Sequence, residues 1–152
     1  RPTIIQKAVY KEKIEDEIDV LTSEPFSHFE IYNAGKGPAI ELEVTIIDKN
    51  GRSWTEQRTT FLRPDDKPEV FRENFPLGDF YKANNIYYLV SQYQGILSRT
   101  GKEETWYQTR MPFEISESSE KGKVLLSPGK LEFKEVTEKD RIKGFDCFNK
   151  PK

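Results

Sequence analysis

The side chains able to do chemistry are few and widely spaced. His28 is the single histidine of the chain and Cys147 the single cysteine. One histidine excludes a two-histidine metal site and the HExxH pattern, and one cysteine excludes an intrachain disulfide and any multi-cysteine zinc site. For His28 to act as a general base it needs a nucleophile, which must come from a distant hydroxyl or from Cys147. No GxSxG elbow occurs, and Cys147 stands in a C-terminal stretch without a histidine beside it. His28 therefore reads as a strand histidine near Glu30, and no catalytic residue is expected.

Carboxylates offer the next possibility. Glu30, Glu41 and Glu43 converge if the strands that carry them pair with those faces aligned, and Asp65, Asp66 and Asp79 fall in turns. Calcium takes six to eight oxygen ligands, usually from loops. Glutamates on an outward strand face are normally just solvated, so no metal and no cofactor is expected. Gly35-Lys36-Gly37 is not a phosphate cradle, because a P-loop needs GxxxxGK[ST] before a helix and here Pro38 and a strand follow. The surface with most potential is Trp106 with Gln92, Gln94, Gln108 and Arg110. An indole beside amides suits a peptide partner or a sugar ring when exposed; the competing expectation is that a neighbouring loop covers it.

Short strands must position these residues. In Phe29–Asn50, Phe29 and Ile31 share one face and His28, Glu30 and Tyr32 the other. Asn33 to Pro38 ends that strand, since two glycines permit positive φ and proline has no ladder donor. Ile40, Leu42, Val44 and Ile46 then alternate with Glu41, Glu43 and Thr45, the pattern of a half-buried antiparallel strand. Asp48-Lys49-Asn50-Gly51 suits a type I turn with a left-handed glycine, a register that sets Trp54 opposite Ile46.

Further strands are predicted over Pro2–Tyr10, Trp54–Leu62 and Glu69–Phe75, with a turn at 63–68 and an irregular or short helical bridge over 80–85. Lys11–Asp19 is a charged connection. Asn85–Leu97 and Thr105–Ile115 form the clearest long hairpin. Pairing Tyr93 with Tyr107, Leu89 with Met111 and Tyr87 with Phe113 puts all six on a core face, and a one-residue slip would invert a whole strand. The opposite face then carries Val90 by Arg110, Gln92 by Gln108 and Gln94 by Trp106. Ser116–Lys123 is a polar loop. Val124–Val136 holds one or two edge strands, and 137–152 is a short helix or tail, with Thr137 as cap and Gly144 as stop. The fold class is thus all-β, an antiparallel immunoglobulin-like β-sandwich of about seven or eight strands in one domain, with a small closed barrel as the alternative.

Composition limits the partners. The 24 basic and 26 acidic residues of the 152 leave a net charge of -2, which argues against nucleic acid, since such binding needs a basic field. No apolar run approaches the ~20 residues of a membrane span.

The turn Asn33-Ala34-Gly35-Lys36-Gly37-Pro38-Ala39, followed by an alternating strand, resembles the N-x-G-x-G-P-A turn of a loose group of bacterial and archaeal proteins of unknown function. There the motif joins two strands of an immunoglobulin-like, CARDB-like sandwich. The late hairpin, with Tyr93-Gln94-Gly95 and Trp106-Tyr107-Gln108-Thr109, agrees, and the likeness spans Phe26 to Ile115. Asp65-Asp66 after Pro64 departs from the Pro-Gly such modules often show. The resemblance implies a soluble domain held at a membrane by a segment outside this chain and supplies no catalytic residues; the side of the membrane is left open, with the extracytoplasmic one preferred. The expectation is a non-enzymatic module that binds a protein, the alternative a carbohydrate-binding or adhesive domain using Trp106 and nearby tyrosines.

Overall fold

Stretches in which apolar and polar residues alternate form the strands, and among the described residues these strands pair antiparallel throughout. The computed structural model describes residues 1–10, 25–78, 80–96, 105–118 and 123–142, and of Trp54 the backbone. Cys147, Asp79, the charged connection after Tyr10 and the chain beyond Ile142 lie outside the described residues.

Among the described residues nine strands, rather than the expected seven or eight, form two sheets. The smaller contains β1 (Ile4–Tyr10), β2 (Phe26–Asn33) and the short β5 (Glu69–Phe71), with β2 in the middle. The larger runs in the order β4 (Ser53–Leu62), β3 (Ala39–Asp48), β6 (Ile86–Gln94), β7 (Thr105–Glu117). On the far edge of β7, β8 (Val124–Pro128) pairs with one half and β9 (Glu132–Thr137) with the other. Proline and glycine at 128–129 divide these two strands. The Gly129 N–H donates to the Pro112 carbonyl at 2.6 Å, an approach in which a Cβ would meet the Pro112 ring at 2.8 Å. Both ends of the larger sheet are open, so the barrel alternative is excluded among the described residues.

The sheets face each other across one core. Phe29 of β2 lies 5.5 Å from Phe113 of β7, and Phe75 bridges to Phe26, Phe113 and Tyr81. Fully burying such a ring removes it from water for about 2–3 kcal/mol, and edge-to-face packing adds to that. Phe75 takes a left-handed backbone, φ 50, at a cost of about 1–2 kcal/mol that its packed ring offsets. Towards the other end the contact turns polar. Buried Gln6 donates to the Leu89 carbonyl at 3.1 Å and accepts from the Ser91 hydroxyl, Thr109 donates to the Ile4 carbonyl at 2.7 Å, and the Tyr93 hydroxyl accepts from the Ile4 N–H. Each joins β1 to the opposite sheet.

The β6–β7 register follows the apolar faces: Tyr87 pairs with Phe113, Leu89 with Met111 and Tyr93 with Tyr107. All but Tyr107 are buried outright.

Elsewhere the chain departs from simple alternation. A bulge at Ile46/Ile47 pairs Ile46 with Thr55 and Ile47 with Ser53, so Trp54 is the extra residue rather than the partner of Ile46. A second irregularity, where Glu41 has φ 51, leaves Ile40 half-buried. Glu69–Phe75 is a strand only as far as Phe71, and β7 runs on through Glu117 into the expected loop. In place of a helix after Thr137 there is one 3-10 turn, Glu138–Asp140, in which the Thr137 side chain caps no backbone N–H.

The glycine-proline turn proves to be a structural junction. Asn33 is buried, and its Oδ1 accepts from the N–H groups of Thr3 and Gly35 while its Nδ2 donates to the carbonyls of Gly37 and Leu62, each at 2.9 Å. One carboxamide thus ties the starts of β1 and β3 to the ends of β2 and β4. Gly35 lies so close to the first residues that a Cβ would stand 2.5 Å from the Thr3 nitrogen and 2.6 Å from the Arg1 carbonyl oxygen. Gly37 has φ +77, the left-handed region that glycine enters without strain.

Candidate functional site

The outward residues of the larger sheet include a continuous polar row. Register places Glu43 on β3 beside Gln92 on β6, Gln92 beside Gln108 on β7, and Gln108 beside Lys134 on β9. Trp106 stands two residues before Gln108 on the same face. Such a row ordinarily meets water. Here Glu43, Gln92, Gln108 and Trp106 are all buried, because the chain after β9 folds back across them.

The return follows from local geometry. β9 ends where Thr137 pairs with Thr105, the 3-10 turn reverses direction, and Arg141 resumes an extended backbone, φ -68 and ψ 156. This lays Arg141 over the Trp106 ring, its guanidinium carbon 4.5 Å from the ring centre, a cation–π stack. Its Nη1 donates to both Glu43 oxygens at 3.1 and 3.2 Å, and its Nε to Glu138 Oε1 at 2.9 Å. The Trp106 indole N–H donates to the other Glu138 oxygen. Burial disfavours the guanidinium charge, but the bonds and charges of Glu138 and Glu43 outweigh it and hold Arg141 above its ordinary range.

Gln92 completes the attachment. Its Oε1 accepts from the Ile142 N–H at 2.7 Å and its Nε2 donates to the Ile142 carbonyl at 3.0 Å, so one side-chain amide satisfies both polar groups of a backbone residue. Gln108 donates to Gln92 Oε1 at 2.6 Å, and Arg110 Nε donates to Gln108 Oε1 at 3.3 Å. Every described side-chain polar atom buried in the protein has a partner. That completeness matters because a buried ion pair roughly cancels its own desolvation cost, whereas breaking one by removing a partner costs about 3–5 kcal/mol. The network contributes position more than stability.

Four of the five surface residues named from the sequence therefore come together: Trp106, Gln92, Gln108 and Arg110. Gln94 is fully buried beside them and bonds the Thr105 carbonyl instead. Of the two alternatives for Trp106 the covered one holds, since Arg141 lies on its ring face and Ile142 on the amides. The reading of Glu43 as a solvated glutamate is corrected for the same reason. Glu138, Arg141 and the Ile142 backbone escaped sequence reasoning altogether, and Glu43 figures there only as a carboxylate beside Glu30 and Glu41. The Glu43–Arg141 contact spans 98 residues, and the one local hint is an arginine within the charged run Glu138–Arg141.

Other candidates hold less. Glu30 is in the smaller sheet and Glu43 in the larger, so those carboxylates do not converge, and no cluster of three metal-ligating side chains occurs among the described residues. The hydroxyl nearest His28 is that of its neighbour Ser27, 2.8 Å from Nδ1. Glu30 stands 3.6 Å from Nε2, beyond hydrogen-bond reach, and 3.5 Å from Lys7. A cleft of about 310 Å³ at the chain start is lined by Arg1, Lys36, Pro38 and Tyr107, with Arg1 stacked 4.6 Å over Tyr107.

Among the described residues no helix is long and apolar enough to cross a membrane. Comparison with known proteins gives no matching family model, no matching curated protein and no matching solved structure.

Proposed function

We propose that this chain is a non-enzymatic interaction module of immunoglobulin-like sandwich type that takes hold of a protein partner as extended polypeptide on the outer face of its larger sheet. The observation that carries this reading is the two-bond pairing of the Gln92 amide with the Ile142 backbone. A side-chain amide that satisfies an N–H and a C=O of the same residue binds main chain whatever the side chain, as extended-peptide recognition requires. Around it the row Glu43, Gln92, Gln108 and Trp106 offers acceptors, donors and a ring face, and both oxygens of Glu43 already receive guanidinium N–H groups. The group is equipped to recognise a chain rather than to cleave one.

Titration of the isotope-labelled Arg141→Ala protein, whose cover over this face is loosened, with a pool of random-sequence decapeptides tests this. The side-chain amide signals of Gln92 and Gln108 should shift, and shifts confined to other regions, or none, would overturn the reading. The membrane setting that the resemblance implies belongs to the same proposal, and the sequence upstream of Arg1 in the full gene product decides it: a hydrophobic span there supports it, and a globular domain without one removes it.

A further inference from the structure

We infer that this face is a recognition site for an arginine followed by an apolar residue, and that Arg141-Ile142 fills it as a displaceable occupant from the same chain. The inference rests on the functional reading above and adds the chemistry of the ligand and the means by which the site is closed.

Three features select arginine. The ring face of Trp106 receives a flat cation at 4.5 Å. Glu43 Oε1 and Oε2 both accept from one guanidinium nitrogen, while Nε is held within the occupant itself by its own Glu138. Glu43 is also buried, with its side chain 11% exposed. A carboxylate there needs a cation, so the site is complete only when a guanidinium is in it. A lysine ammonium would meet Glu43 as a point charge, without the planar stack and the fork of donors. The Gln92 amide then fixes the residue that follows the arginine through its backbone.

The same contacts show why the occupant can leave. The turn Glu138–Asp140 buries no residue, and the contacts that hold Glu138–Ile142 among the described residues are directed polar bonds and one ring stack. Segments of this kind open at far lower free energy than the core. Opening uncovers Trp106, Gln92 and Gln108 together. Being tethered, the segment competes at an effective concentration on the order of millimolar, so a free peptide meets the wild-type site already filled.

The decisive experiment uses the full chain carrying Arg141→Ala and a synthetic hexapeptide with the sequence of residues 137–142, acetylated and amidated, read by the Trp106 indole N–H resonance. The peptide should bind the variant at least about tenfold more tightly than the wild type. Replacing its arginine by citrulline, which keeps the shape and loses the charge, should weaken binding about tenfold or more. Adding Glu43→Gln should do the same.

Equal binding of the arginine and citrulline peptides would overturn the inference and leave the functional reading standing. So would failure of the hexapeptide to bind while the random pool still shifts Gln92 and Gln108. Failure of every peptide would remove both. If Arg141→Ala does not fold, hydrogen exchange of the Trp106 indole in the wild type serves instead. Exchange should accelerate several-fold between about 0.05 and about 0.5 M salt as the ion pairs are screened; an unchanged rate would show that the occupant is not displaceable.

Discussion

Between the sheets, Phe29 is surrounded by Phe26, Phe71, Phe75 and Phe113 at 4.8 to 6.3 Å, with Tyr81 and Tyr87 filling the end of the layer. On the outer face of the larger sheet, Gln92 and Glu43 are also buried, yet every contact described for them there is a directed bond to a polar partner. The first layer is held by area, which is non-directional and tolerant of small shifts. The second is held by geometry, where losing one member leaves the others unsatisfied. Dryness therefore says nothing about what a layer is for. The aromatic layer sets stability, and the polar layer sets where Arg141 and Ile142 lie.

Substitutions can break this contrast or sharpen it. The largest effect is expected from Phe29→Ala, about 3–5 kcal/mol of stability with little dependence on salt. Urea unfolding at low and high ionic strength measures it, and a loss below about 1 kcal/mol would mean the ring layer is not the source of stability. Asn33→Ala should come next at about 2–3 kcal/mol, because it strands the Gly37 and Leu62 carbonyls and the Thr3 N–H. If Asn33→Ser, with a single hydroxyl in place of the carboxamide, kept most of the wild-type stability, the four-way tie would be wrong.

For the outer face, a double-mutant cycle on Glu43 and Arg141 should give a coupling of about 1–3 kcal/mol that shrinks with added salt, unlike the Phe29 effect. No coupling would dissolve the distinction between the two layers.

Tyr81 marks the boundary of the ring layer. Burial pushes its phenol well above the usual range, and the charge of Glu73, the hydrogen bond to Glu73 and Tyr87 push it further. The folded state thus holds a proton that the unfolded chain releases near pH 10, so this contribution is complete below about pH 10 and lost as pH rises beyond it. Tyr81→Phe should cost about 1 kcal/mol at neutral pH and move alkaline unfolding upward, followed by circular dichroism.

The smallest effect belongs to Asp48 in the β3–β4 turn. Burial raises its pKa, but the Arg52 side chain, the backbone N–H groups of Arg52 and Asn50 and the Arg52 charge outweigh this and hold the carboxyl below its ordinary value. Its contribution is present above about pH 4 and lost as pH falls further. Asp48→Asn should therefore flatten the acid limb of the stability curve by less than about 1 kcal/mol, since Arg52 is largely exposed.

How much of this was legible depends on the range over which each residue acts. The Tyr87–Phe113 and Leu89–Met111 register was readable because the side-chain period is two and a slip would turn the glutamines inward between the sheets in place of the rings. Bulges were not. Nothing around Trp54 distinguishes a regular strand from one carrying an extra residue, since only the competing ladders on the two edges of β3 decide it. The candidate site was half legible: Trp106 and its amides stood out by type, but their cover comes from a run of charges that reads as wet surface.

The sequence by itself determined the all-β class, the corner at Asn33 to Pro38 and the pairing of the long hairpin, because alternation, glycine and proline act through neighbouring backbone. Tertiary structure alone decided that Gln6 and Asn33 are buried, that β2 and β3 belong to different sheets, and that Glu43 meets Arg141. A hydrogen bond between residues 98 apart leaves no periodicity in the chain; it exists only once two sheets and a turn have carried its partners to the same place.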